Sequence, residues 1–139
     1  MVRNVVQFRE KGSESEKITI NLGYVDLGRI DLLVHEGFYS NRSDFIRTAI
    51  RNQLLSQKEA VTNSIVRQTL ELGLRDFGRA ELEAVEAAGE KLHIKVVGLV
   101  RVAPDVPSKL ALATIESITV LGALQASSEV KAALGGRIR

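Results

Sequence analysis

Lys17-Ile18-Thr19-Ile20-Asn21-Leu22 alternates without a fault, with Ile18, Ile20 and Leu22 on one face and Lys17, Thr19 and Asn21 on the other. A period of two is the signature of a half-buried β-strand. A lone strand leaves backbone N–H and C=O groups unpaired along both edges, and no second strand of matching pattern follows nearby. The partner this implies is the same strand of a second copy.

Downstream, Leu27, Ile30, Leu33 and Val34 recur at helical spacing within residues 25–36, with Asp26 in the first turn and Gly37 suited to a left-handed stop. Gly28 inside this short amphipathic helix costs about 1 kcal/mol relative to alanine. After Phe38-Tyr39-Ser40, the run Asn41-Arg42-Ser43-Asp44 supplies a capping residue and an acid three positions on. Phe45, Ile46, Ala49, Ile50 and Leu54 then continue a second helical stripe. The free amides of Arg42 and Ser43 at its positive end suit a phosphate, as those of any helix start do.

Strand, helix, glycine turn and capped helix, all within residues 17–57, resemble the ribbon-helix-helix family of CopG, Arc and MetJ type. The strand alternation, Gly37 and Asn41-Arg42-Ser43-Asp44-Phe45-Ile46-Arg47 carry the resemblance. It implies that two chains pair their strands antiparallel and insert the ribbon into the major groove of double-stranded DNA. Lys17, Thr19 and Asn21 would then read bases, a role their chemistry fits: lysine donates to guanine, asparagine pairs with adenine, and threonine offers a hydroxyl and a methyl. Asn41, Arg42 and Ser43 would bind the DNA phosphates and set register. Arg47 and Arg51, one turn apart, are read first as a solvated helix face and second as further phosphate contacts. Gly23-Tyr24 departs from the pattern, since many relatives have a proline or a polar cap there.

Beyond Gln57 the chain is too apolar for a tail. Leu70, Leu72 and Leu74 alternate, residues 80–90 read as a helix, and apolar runs resume at His93. An internal repeat aligns Ile94, Val96, Gly98, Asp105, Val106 and Leu110 with Ile118, Val120, Gly122, Glu129, Val130 and Leu134, every pair at the same offset. A weaker copy, displaced by that offset towards the N-terminus, lays Leu70, Leu72, Glu81 and Leu82 on Ile94, Val96, Asp105 and Val106. Each unit reads as a strand and a short helix, with Pro104 at a first helical position and Ser127 as a cap. Such units lay strands side by side in parallel, and three of them leave open edges that a partner must hide. Self-association of this half is therefore expected. The competing readings are a monomeric sensing domain and a docking surface for a protein such as a toxin.

Composition excludes several classes of function. The 139 residues, 45% hydrophobic, suffice for one or two small domains, and the formal charge of +2 permits DNA contact without requiring it. With no cysteine there is no disulfide, thiolate nucleophile or thiolate metal site. His35 and His93 are the only histidines and no spacing pairs either with a nucleophile or a ligand set, so neither an enzyme nor a metal site is expected. No glycine-rich nucleotide loop is present, and no cofactor is expected. The first residues lack the apolar run of a signal peptide or anchor, so the protein reads as cytoplasmic.

The expected fold class is α+β, an intertwined N-terminal ribbon-helix-helix dimer followed by a C-terminal α/β module of 24-residue strand-helix repeats. Its parts are a flexible arm over residues 1–16, with Arg3, Arg9 and Lys11, the DNA-binding domain over 17–57, and the oligomerisation or sensing module over 58–139. The function this implies is a sequence-specific transcriptional repressor. The alternatives are an antitoxin binding its toxin through the C-terminal half, and a self-assembling structural protein.

Overall fold

The computed structural model describes residues 14–139. The basic residues of the expected arm, Arg3, Arg9 and Lys11, lie outside the described residues. The chain divides between Ser64 and Ile65 into two compact units.

The first unit, residues 15–64, holds helix α1 (Tyr24–His35), helix α2 (Arg42–Ser56) and most of helix α3 (Lys58–Gln68). The segment 17–22 is in no β-ladder among the described residues, and both of its faces are exposed. Helix α1 starts directly after Gly23, whose extended backbone (φ −64°, ψ 151°) provides the N-cap geometry without a capping side chain. It ends as a Schellman motif: the Phe38 N–H donates to Leu33 O and the Gly37 N–H to Val34 O. Gly37 takes φ 85° there, a conformation that glycine adopts without strain. Helix α3 has no clear mark in the sequence. It follows α2 after Gln57 alone, and its apolar residues Val61, Ile65 and Val66 are too few to mark it in the sequence.

Among residues 15–64 only Ile30 is buried, at 7% exposure. Burial of apolar surface is the main force opposing chain entropy, so a unit of this length with one buried side chain does not account for its own folding.

The second unit, residues 65–139, has a core. Three parallel strands lie in the order β1 (Glu71–Phe77), β2 (Leu92–Val102) and β3 (Ile115–Gln125). Helices α4 (Arg79–Ala87), α5 (Ser108–Thr114) and α6 (Ser128–Ala133) alternate with them. One face of the sheet packs Phe77, Ile94, Val96, Val100, Val102 and Ile118 into a cluster with Leu82, Val106, Leu110, Val130 and Leu134. Leu82, Val106 and Val130, at the repeat positions, are all at most 3% exposed. The same inward contact is thus made three times.

The repeat offset read from the sequence holds between β2 and β3, where Ile94 pairs with Ile118 and Gly98 with Gly122. Between β1 and β2 the register corrects the expectation: Leu72 pairs with Val97 rather than Val96, and Gly73 with Gly98, so the first strand is shifted by one position. Three glycines fix this alignment. Gly73, Gly98 and Gly122 take φ 132°, 138° and 126°, and a Cβ at Gly98 would overlap the Gly73 carbonyl oxygen, as one at Gly122 would overlap that of Gly98. Only glycine lets the strands approach this closely.

The helix expected to open at Pro104 opens at Ser108, with Pro107 as its N-cap. The residue before a proline is steered away from helical backbone, which keeps Val106 out of the helix. Instead a turn forms, closed by the Val106 N–H on Ala103 O at 3.1 Å, with Pro104 and Asp105 inside it. Ser127 caps α6 as expected, its hydroxyl accepting from the Val130 N–H. At the far edge the chain end folds back, and the Arg139 N–H donates to Ile118 O at 2.8 Å.

Candidate nucleic-acid interface

Lys17, Thr19 and Asn21 are exposed, and so are the apolar residues that alternate with them: Ile18 at 79%, Ile20 at 59% and Leu22 at 40%. Beside this segment a cleft of about 450 Å³ is lined by Glu16, Lys17, Ile18 and Ile20 from one side and by Ser43, Ile46, Arg47 and Ile50 of α2 from the other. Ile46 and Ile50 stand one turn apart, so the helix presents a short aliphatic ridge to the apolar side of the segment. The stripe in the sequence indicated this ridge, whereas the cleft itself depends on the tertiary arrangement.

The start of α2 is built as its sequence implied. Asn41 Oδ1 accepts from the Asp44 N–H at 2.8 Å, and Asp44 Oδ2 accepts from the Ser40 N–H at 2.9 Å. Tyr39 meets Phe45 edge to face with centroids 5.0 Å apart, fixing the angle at which the chain enters the helix. The first two amides of the helix, those of Arg42 and Ser43, have no partner within it and sit at its positive end. A tetrahedral anion would find two donors there.

The Arg42 side chain is otherwise engaged. Its Nε and Nη2 donate to Asp31 Oδ1 and Oδ2, both at 2.8 Å, in a two-pronged bridge from α2 to α1. The guanidinium hydrogen bonds hold the Asp31 carboxyl below its ordinary value of 3.8, and the carboxylate in turn raises the Arg42 pKa. Eleven residues separate the two, so no helical spacing pointed to the pair. Of the three expected phosphate contacts, Arg42 thus offers its backbone N–H, while Asn41 and Ser43 keep exposed side chains. Arg47 and Arg51 are exposed on α2, and Arg47 borders the cleft.

Among the described residues no group of three or more histidine or acidic side chains is placed to hold a metal, and no helix is long and apolar enough to cross a membrane.

Residues 13–131 match the Ribbon-Helix-Helix transcriptional regulator family, and the chain belongs to it. It is a DNA-binding transcriptional regulator at the level of that family. No curated protein and no solved structure matches the chain.

Proposed function

We propose that the protein is a homodimeric repressor whose residues 17–22 pair antiparallel with those of a second copy, placing Lys17, Thr19 and Asn21 of both chains in the major groove. The observation that carries this reading is the exposed aliphatic face of Ile18, Ile20 and Leu22 beside the Ile46 and Ile50 ridge, in a unit with one buried residue. Pairing satisfies the unpaired backbone of the segment and covers its apolar face. Covering those three side chains from their present exposure contributes about 3–5 kcal/mol per chain. The Arg42 and Ser43 amides, with the Asn41 and Ser43 side chains, then meet phosphates and set the register of the ribbon.

Residues 65–139 join dimers or receive a signal. They possess a core of their own, which fits a preformed module better than the polar, fold-on-contact segment of an antitoxin. The test is the mass of Ile20→Asp by light scattering. The wild type is expected to be a dimer or a multiple of one, and the variant to lose that association together with DNA binding. Unchanged mass together with unchanged DNA binding in the variant overturns the ribbon.

A further inference from the structure

The helices cover one face of the three-stranded sheet, and the core cluster lies wholly on that side. The opposite face carries two rows across the strands in register: Leu72, Val97 and Leu121, then Leu74, Leu99 and Ala123. Leu72 is 72% exposed, Leu121 58% and Leu74 40%, whereas Val97 and Ala123 are half-buried and Leu99, on the central strand, is buried at 9%; none of the six belongs to the core cluster. All-parallel sheets are almost always covered on both faces, and here the second face is aliphatic, with the leucines of its two outer strands exposed. One end of the patch closes with a polar row, in which Arg101 reaches Asp76 Oδ1 at 3.3 Å and Gln125 Oε1 at 3.2 Å. Lys95 and Thr119 stand at the other end.

We propose that this face docks on the same face of a second copy, across a two-fold axis that lies between the sheets and at right angles to the strands. The rows are self-complementary under that operation. Each strand meets its own mate running the other way, the large Leu121 falls opposite the small Ala123, and Val97 falls opposite Leu99. The size of the face also favours a second copy. Strands about 4.8 Å apart and about seven residues at 3.3 Å each give a face of about 14 by 23 Å. Two such faces bury well under the roughly 1,200 Å² that free proteins need to associate stably. A face this small is filled when its partner is held at high local concentration, which a dimer joined through residues 17–22 supplies. In this respect the inference rests on the ribbon reading.

The absence of cysteine makes a direct test simple. In the full chain, a spin label at Thr119→Cys reports the separation of the two copies. Sheets packed about 10 Å apart, with Thr119 about three residues from the axis, predict a narrow distance near 20–30 Å. Adding Leu121→Glu should broaden or abolish it while circular dichroism stays the same, and DNA binding should persist. A distance absent from the start, or one indifferent to Leu121→Glu, overturns the docking. The Ile20→Asp background separates the two proposals: a distance that survives there leaves the sheet pairing standing without the ribbon, and one that vanishes shows the ribbon to be its tether.

Discussion

Replacing the glycines of the ladder one at a time should sort them into two classes. Gly73→Ala places a Cβ in open space, so its cost is the backbone strain of holding φ 132° with a side chain, about 1–3 kcal/mol. Gly98→Ala bears the same strain at φ 138° and adds an overlap with the Gly73 carbonyl oxygen, which is backbone and cannot rotate away. The strands must part, and the loosened pairing takes the contacts of Val96 and Val100 with it. The total should exceed about 3 kcal/mol, among the large effects for a single substitution. Gly122→Ala should behave like Gly98→Ala, because it meets the Gly98 carbonyl in the same way. Urea titration followed by far-ultraviolet circular dichroism reads the order directly, with the slope checking that the transition remains two-state. If Gly98→Ala costs no more than Gly73→Ala, the close approach of the strands is wrong.

Two further substitutions address the joints of the fold. Thr69, beyond the end of α3, occupies the left-handed position of a Schellman motif at φ 56°, where a β-branched residue is strained, so Thr69→Gly should stabilise the protein by about 1 kcal/mol in the same titration. Asp31→Asn removes the bridge to Arg42. Because the folded Asp31 pKa lies below 3.8, the bridge contributes fully above that pH and its contribution is lost as pH falls through the lowered value. Thermal melts of wild type and variant should therefore differ at neutral pH and converge in acid, with the difference reduced by salt since the pair is exposed.

Local patterns carried much of this architecture. The alternation from Lys17 to Leu22, the Gly37 stop and the Asn41 cap are settled by chemistry within a few residues, and they led to the family that the chain belongs to. The repeat was legible because Ile94 and Ile118, or Val106 and Val130, occupy the same place in successive units. What escaped depends on non-local contact or on competing local signals. The Asp31–Arg42 bridge joins two helices across a turn, and it places the side chain of an expected phosphate ligand on a neighbouring carboxylate. Pro104 taken alone signals a helix start, but Pro107 three residues later excludes one there, and the helix opens at Ser108. The first strand lies one position from the repeat offset because its alignment is set by Gly73 against Gly98, a weaker signal in the sequence than the alternating leucines. The open sheet face could not be seen without the register, since Leu72, Val97 and Leu121 become neighbours only in the sheet.

The central claim is that the polar face of residues 17–22 reads DNA. Fluorescence anisotropy of the full-length protein on a labelled duplex from its own upstream region, beside a scrambled duplex and across salt concentrations, tests it most directly, with Thr19→Ala/Asn21→Ala as the comparison. The account predicts that the wild type prefers its own sequence with a steep salt dependence, and that the double variant keeps the salt dependence but loses the preference. Undiminished preference in the double variant, or a wild type that binds neither duplex, would contradict it.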